Sequence, residues 1–401
     1  CRRCFNLCDS FPRLFDLVDA QPDEVAGVDP KDYKQVEEAC TLCDLCFMTK
    51  CPYVPPHEWA VDFPHLMLRY RAAELKAGKS DPIGKQVTET DRNGKLAALA
   101  APVVNLANAN PAARIAMEST IGVDRRAALP KFHGRTLVLR AMEVKPAVNL
   151  RAPAYGRKAV LYATCFVNYN NPEIGIAARA VLARNGVETE VVYPRCCGMP
   201  QFERGDVARV AEHARDVSDA LLPYVEQGYD IIAMVPSCAL MLKFEWPLIL
   251  PGDARIKRLS DATYDISEYV VDIARGEGLE PGLSALPGGV AVHIACHARA
   301  QNMGQKAAEM LKLIPEADLA VIERCSGHGG PWGVFQGNFD LALKVGRPVA
   351  RQAINASKAF IASECPLAGE HIVQGMERLD DKATPEHSWH PIQLFARAYG
   401  L

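Results

Sequence analysis

Residues 158–165 read KAVLYATC, and residues 288–296 read GGVAVHIAC, so that two apolar runs both end in a cysteine. Short apolar runs bounded by turn residues are typical of strands buried in a parallel sheet. Each run precedes a segment with helical spacing, PEIGIAARAVLARNG at 172–186 and QKAAEMLKLI at 305–314. This alternation of strands and helices predicts two α/β units, each with a parallel sheet covered by helices.

The two units look like copies of each other. Three landmarks, each at the end of a predicted strand, recur at a nearly constant offset. They are Cys165 with Cys296, Cys197 with Ser326, and Cys238 with Cys365, which lie 131, 129 and 127 residues apart. An offset that is kept at three positions indicates an internal duplication.

A different cysteine pattern occupies the first 52 residues. It begins with C-x2-C-x3-C and continues, about 30 residues later, as C-x2-C-x2-C-x4-C-P. Its members are Cys1, Cys4, Cys8, Cys40, Cys43, Cys46 and Cys51. Closely spaced cysteines that end in Cys-Pro are typical of two-cluster ferredoxins, where the fourth cysteine of each motif binds the other cluster. The pattern therefore predicts two [4Fe–4S] clusters.

The ligands can be assigned from the spacing. Cys40, Cys43 and Cys46 are expected to hold one cluster together with Cys8. Cys1, Cys4 and Cys51 are then three ligands of the second, whose fourth would be a cysteine upstream of Cys1. Without that cysteine, an open iron or a [3Fe–4S] centre is expected. Zinc is the less favoured alternative, because C-x2-C pairs also bind zinc.

The second family of seven cysteines belongs to the duplicated units. The first copy has Cys165, the Cys196-Cys197-Gly198 turn and Cys238, and Gly198 is expected to adopt a positive φ. The second copy has three cysteines and a serine in place of the fourth; these are Cys296, Cys325, Cys365 and Ser326. Ligands tend to gather at the carboxyl edge of such sheets. His297 and His328 are weaker ligand candidates, and His293 is expected to be a core residue.

The 401 residues exceed one ordinary core, and a composition of 49% hydrophobic and 23% charged residues indicates a folded globular protein. We predict an α-helical ferredoxin-like domain over 1–110, a linker over 111–157, and the two copies over 158–285 and 286–401. A net charge of −3 gives no case for nucleic acid. No apolar stretch reaches the ~20 residues that span a bilayer.

The duplicated pattern C…CCG…C resembles the cysteine-rich CCG domain of heterodisulfide reductase. The whole layout is also similar to the iron–sulfur subunit of anaerobic glycerol-3-phosphate dehydrogenase, with kin among glycolate and lactate oxidase subunits. HIACHARAQNMGQKAAEMLKLIP at 293–315 and ERCSGHGG at 323–330 are especially specific. Related bacterial proteins are described as heterodisulfide reductase-related iron–sulfur proteins, some associated with rubrerythrin-like di-iron proteins.

The resemblance implies a further [4Fe–4S] or noncubane cluster at the CCG motifs, with zinc less favoured. A complete CCG motif supplies five cysteines, but Met241 and Ala368 stand at the fifth positions here. This departure makes disulfide chemistry less favoured. The main hypothesis is an electron-transfer subunit without catalysis of its own. An enzyme that reduces a disulfide, persulfide or quinone at the CCG cluster is the alternative, and a zinc-holding scaffold is a third.

No G-x-G-x-x-G loop follows a predicted strand, and no P-loop is present, so the hypothesis assigns the organic chemistry to a partner. The resemblance implies a redox partner such as a flavin dehydrogenase, a membrane anchor subunit or a rubrerythrin-like di-iron protein. Thiolate ligands need a reducing compartment, which predicts a cytoplasmic location. Peripheral docking on the inner membrane is a further expectation.

Overall fold

The computed structural model describes residues 1–79, 81–379 and 384–401. The described residues before Lys158 form helices and short 3-10 or π turns, and no strand. The helices are α1 (Ser10–Asp19), α2 (Lys34–Glu38), α3 (Phe63–Lys76), α4 (Pro82–Val87), α5 (Thr90–Leu99), α6 (Ala101–Ala109), α7 (Pro111–Ile121) and α8 (Leu137–Glu143). Proline stands at the first or second position of α3, α4, α6 and α7, where its missing N–H is not needed.

The first copy forms a four-stranded parallel sheet in the order β2-β1-β3-β4. Its strands are β1 (Lys158–Tyr162), β2 (Glu188–Val192), β3 (Asp230–Ala233) and β4 (Thr263–Asp265). Its helices are α9 (Cys165–Tyr169), α10 (Pro172–Arg184), α11 (Met199–Phe202), α12 (Val207–Glu226), α13 (Pro236–Leu240), α14 (Trp246–Ile249), α15 (Ala254–Asp261) and α16 (Ile266–Gly276).

The second copy forms a three-stranded parallel sheet in the order β6-β5-β7. Its strands are β5 (Val290–His293), β6 (Leu319–Ile322) and β7 (Phe360–Ser363). Its helices are α17 (Cys296–Ala300), α18 (Lys306–Leu311), α19 (Phe339–Ala356), α20 (Pro366–Glu377) and α21 (Pro391–Ala398). The predicted fold class, a helical N-terminal part followed by two α/β copies with parallel sheets, is confirmed.

The duplication extends further than the cysteine landmarks. In the first copy, edge strand β4 leads into α16, whose first turn is closed by a capping box between Asp265 and Glu268. In the second copy, Trp389 forms a parallel bridge with Ala362 at the same edge, and His390 and Gln393 make a capping box at the start of α21. The sequence analysis identified neither edge element, because three residues of strand carry too little periodicity to recognise.

The two copies share one hydrophobic core. Residues 159–162 of the central strand β1 are fully buried, as expected for a parallel strand covered on both faces. Helix α10 packs against α21, α16 against α18, and α13 against α17. One continuous apolar cluster therefore runs through both copies, and it also includes Leu42, Met67 and Leu68 of the helical part.

Arg71 on α3 joins the helical part to the first copy. Its guanidinium donates to the Glu37 carboxylate, to the carbonyls of Glu37 and Cys40, and across the interface to the carbonyl of Glu203. The Arg71 side chain is 14% exposed and that of Glu37 only 5%. The planar guanidinium can meet several acceptors at once, which lysine cannot do.

Arg71→Met should therefore lower the free energy of unfolding by about 3–5 kcal/mol, the usual cost of leaving one member of a buried ion pair alone. Anaerobic chemical denaturation measures the loss. Arg69→Met, at an exposed position on the same helix, is the control and should change stability little. Equal stability of the Arg71 and Arg69 variants would contradict this account of the interface.

His65 makes a second bridge that depends on pH. Hydrogen bonds to Asp62 and to Glu245 of the first copy raise the pKa of His65 to about 10. Because the folded pKa lies above the unfolded value of about 6.5, the contribution of the His65 bridge to the free energy of unfolding is complete below a pH of about 6.5. It is lost as the pH rises towards 10. The difference in unfolding free energy between wild type and His65→Gln should shrink over that range, and a constant difference would refute the protonated bridge.

Candidate metal centre

A cavity of about 410 Å³ lies where the carboxyl ends of the two sheets meet the helical part. Its wall contains eight cysteines, which are Cys43, Cys165, Cys196, Cys197, Cys238, Cys296, Cys325 and Cys365. Seven of them are the cysteines of the duplicated units. Cys43 comes instead from the N-terminal motif, so the structure brings one member of that motif to the same cavity.

The four cysteines of the first copy are arranged as two pairs. The Sγ atoms of Cys165 and Cys196 are 3.8 Å apart, and those of Cys197 and Cys238 are 3.3 Å apart. Gly198 has a φ of +88°, as expected, and this turn points its N–H at the Cys196 sulfur over 3.5 Å. Four thiols gathered at one sheet edge are a donor set that an iron–sulfur group can use.

Three side chains that the sequence analysis missed hold the backbone of the Cys196-Cys197 pair. Asp91 on α5 accepts the N–H of Cys196 over 3.0 Å, and Nδ1 of His213 lies 2.9 Å from its carbonyl oxygen. The indole N–H of Trp246 donates to the Cys197 carbonyl over 3.1 Å. These residues lie on three different helices, and no motif in the linear sequence connects them with the cysteines.

The second copy repeats this geometry with three thiols. Cys296 begins α17, Cys365 directly precedes α20, and Gly327 points its N–H at the Cys325 sulfur over 3.4 Å. Ser326 is buried at the position of the missing thiol, and its hydroxyl oxygen accepts the N–H of His328 over 3.4 Å. Burial is the main cause that raises the pKa of Cys365 to about 11.

Three histidines of the second copy also line the cavity, and in two of them a ring nitrogen is unpartnered among the described residues. Nε2 of His297 and of His328 is buried and has no hydrogen-bond partner within the described part of the chain. Burial lowers the pKa of His297 to about 4 and that of His328 to about 3, so both rings are neutral at pH 7. His293 differs, because Ser363 and the carbonyl of Arg324 lie 3.0 and 2.9 Å from its two ring nitrogens. It is a satisfied core residue.

The other N-terminal thiols form two groups. Burial raises the pKa of Cys46 strongly, and the neighbouring thiols of Cys40 and Cys8 raise it further. Burial also raises the pKa of Cys4, with Cys51 as a neighbour. Cys1 is exposed at the first position. Cys8 and the 40–46 loop are thus brought together, and Cys4 and Cys51 are brought together separately.

The described wall of the cavity contains almost no charged side chains. Among the described residues of its wall, Glu203 is the one carboxyl group, and burial raises its pKa to about 8. Burial also raises the pKa of Cys43 strongly, followed by the effect of Cys296 and Cys325. The pKa of Cys196 is instead lowered, mainly by its hydrogen bond with Cys165, and a thiol that coordinates a metal is deprotonated. The donor set therefore fits a sulfur-ligated metal group.

The candidate ligands are spread along the cavity wall. Within the described ranges, no set of three Cys, His, Asp or Glu side chains converges as it would around one metal ion. The thiols instead enter the cavity wall from both copies and from the helical part. Among the described residues, the donors are therefore distributed along the wall and not gathered at one point.

Membrane insertion has no candidate segment in the part of the chain that the structure covers: none of its helices is both long enough and apolar enough to cross a bilayer.

Comparison with known proteins bears directly on the duplicated units. The profile of the CCG cysteine-rich domain matches residues 159–243 and 290–369, one match in each copy. The chain is 25% identical over 315 residues to the C subunit of anaerobic glycerol-3-phosphate dehydrogenase of Escherichia coli, covering 78% of this chain and 76% of that protein.

Shorter matches link the chain to lactate utilization protein A. It is 30% identical over 189 residues to that protein of Anoxybacillus flavithermus, covering 44% of this chain and 75% of the relative. The Bacillus cereus protein is 28% identical over 187 residues, covering 44% and 74%. With a matched domain in both copies and relatives covered over about three quarters of their length, this chain belongs to the CCG cysteine-rich-domain family of iron–sulfur proteins.

Proposed function

We propose that the chain is an electron-transfer subunit that relays electrons between two ferredoxin-type [4Fe–4S] clusters and a cluster at the CCG motifs. The observation that carries this proposal is the position of Cys43. It belongs to the N-terminal motif, yet it lines the same cavity as the CCG cysteines, and its thiol is a neighbour of Cys296 and Cys325. A residue that belongs to one motif and lies beside the other supports a short path for electrons.

We propose that Cys8, Cys40, Cys43 and Cys46 hold the first cluster. Cys1, Cys4 and Cys51 would hold the second, with a further cysteine upstream. At the CCG motifs, the four thiols of the first copy would hold a [4Fe–4S] or noncubane cluster. The three thiols of the second copy, Cys296, Cys325 and Cys365, would supply further ligands to the metal centre in the same cavity. His297 and His328 would be weaker ligands. The domain limits given above stay a prediction.

An iron–sulfur group supplies reversible one-electron chemistry. The chain itself supplies the surroundings. Buried thiols and apolar walls exclude water, the Gly198 and Gly327 N–H groups face sulfur, and the neutral His297 and His328 rings add no positive charge. Organic chemistry would belong to a partner oxidoreductase. One relative is named as part of a dehydrogenase, which supports a protein partner of that kind. A reducing cytoplasmic location, with docking on a membrane partner, agrees with fourteen free cysteines.

A second function has one observation in its favour. The cavity of about 410 Å³ could admit a small molecule, and the two unpartnered imidazole nitrogens among its described residues could form hydrogen bonds to it. This would suit the reduction of a disulfide, persulfide or quinone. Steady turnover of a thiol by the purified chain with an artificial electron acceptor would favour this function, and no turnover with thiols or quinols would favour the electron relay.

Metal analysis tests the cluster content. Two [4Fe–4S] clusters and one such CCG cluster predict roughly twelve irons per chain and an equal amount of acid-labile sulfide. The measurement is made anaerobically on native protein that includes its natural N-terminus. A content of about eight irons, from two [4Fe–4S] clusters alone, accompanied by zinc would contradict a CCG cluster and favour a scaffold role for residues 158–401.

Matched cysteine variants test the assignment of ligands. Cys46 is suitable because its thiol neighbours are Cys40 and Cys8, whereas Cys43 also faces the CCG cavity. Cys46→Ser should remove one cubane signal from the electron paramagnetic resonance spectrum and about four irons. Cys197→Ser should keep the cubane signals and lose the CCG signal. An unchanged spectrum of Cys197→Ser would refute its role as a ligand.

A further inference from the structure

Residues 88–94 lie outside both matched domains, yet they form part of the wall of the first CCG site. Two contacts fix the start of this segment to the first copy. The Gln201 amide donates to the Thr88 carbonyl over 2.8 Å, and the Arg209 guanidinium donates to the Glu89 carboxylate over 2.9 Å. The segment is therefore held to the site independently of the cysteines.

Gly94 fixes the other end of the segment. A Cβ atom at Gly94 would lie 2.3 Å from a ring carbon of Tyr169, so only glycine lets α5 approach this closely. The Tyr169 ring packs edge-on against Tyr193, with 5.7 Å between the ring centroids. This contact sets the distance between α5 and the loop that carries Cys196 and Cys197.

Asp91 sets the orientation of that loop. Both of its carboxylate oxygens accept the N–H of Cys196, at 3.0 and 3.1 Å, and one of them also accepts the Tyr193 hydroxyl. The Cys196 N–H therefore donates its hydrogen bond to Asp91 on α5. The Cys196 sulfur instead faces the N–H of Gly198 over 3.5 Å.

Thr90 offers a further hydrogen-bond donor at this place. It lies in the chain between Glu89, which Arg209 contacts, and Asp91, and it lines the cavity. Its hydroxyl Oγ1 is buried and has no hydrogen-bond partner, sulfur included, among the described residues. The Cys165 and Cys196 thiols lie beside it, within the range in which the hydroxyl affects their charge. A buried hydroxyl without a partner is costly, and the Cys165 and Cys196 sulfurs of the same wall are acceptors that a metal-bound thiolate would offer it.

We propose that Thr90 is a positioning residue that sets the reduction potential of the metal centre in the first copy. Its hydroxyl donates a hydrogen bond to the sulfur of Cys165 or Cys196. This inference rests on the proposed function. Reduction adds one electron to the centre, with no covalent bond formed or broken at Thr90. A donor to sulfur stabilises the more negative reduced state, so the hydrogen bond raises the potential.

Four variants test this assignment. Thr90→Val keeps the shape of the side chain and removes the hydroxyl, while Thr90→Ser keeps the hydroxyl. Thr88→Val makes the same change two residues away, where the hydroxyl donates to the Lys85 carbonyl over 3.0 Å and not to sulfur. Thr90→Ala repeats the loss of the hydroxyl with a smaller side chain, in case valine is not tolerated.

The readout is an anaerobic redox titration with dithionite and mediators, followed by electron paramagnetic resonance. Thr90→Val and Thr90→Ala should shift the midpoint of the CCG signal to lower potential, at unchanged iron content. Thr90→Ser and Thr88→Val should leave it near the wild-type value. The N-terminal clusters are an internal reference, and their midpoints should not move in any variant.

An unchanged midpoint in both Thr90→Val and Thr90→Ala would overturn the proposal, as would an equal shift in Thr88→Val. A shift of all clusters together would also overturn it, because that result indicates a general change of the fold. Failure of the proposed function is recognised separately. Wild-type protein whose residues 158–401 bind no iron gives no CCG signal to titrate, and this finding would overturn both proposals.

Discussion

The burial of many thiols in one nearly uncharged cavity is the constraint on which the rest of the site depends. Burial makes the thiolate of Cys43 unfavourable, and the neighbouring thiols of Cys296 and Cys325 make it more so. A sulfur-ligated group in such a wall requires that the negative charge of the thiolates be compensated. The glycine N–H donors, the clamp on the Cys196-Cys197 backbone and the lack of carboxyl groups other than Glu203 in the described wall all serve this requirement.

Duplication provides the cavity, and divergence makes it asymmetric. Packing of α13 against α17 brings the Cys238 and Cys296 helices together, so neither copy has a complete cavity alone. The first copy keeps two close thiol pairs. The second copy has Ser326 in place of one thiol, and two neutral histidines whose Nε2 atoms lack a partner in the described chain. Different donors on the two sides can hold a group in a defined orientation, which identical copies could not do.

The helical part contributes to the CCG site as well as carrying the N-terminal cysteine motif. Arg71 and His65 hold it on the first copy, Asp91 holds the Cys196 N–H, and Cys43 reaches the cavity. Residues 111–157, which the sequence suggests are a linker, contain helices α7 and α8, and Arg179 of α10 donates to the Val144 carbonyl over 2.8 Å. The segment of chain between the two cysteine families is therefore helical in part and packed against the first copy.

The sequence by itself determined the fold class, the duplication and the family, because buried parallel strands and closely spaced cysteines are local patterns. It also determined the positive φ of Gly198. Only the tertiary structure decided which thiols meet. Cys43 joins the CCG cysteines, Thr90 and Asp91 enter from outside the matched domains, and Trp389 completes the second sheet. These contacts join residues that are far apart in the chain, and their geometry follows from how helices pack, which no local pattern records.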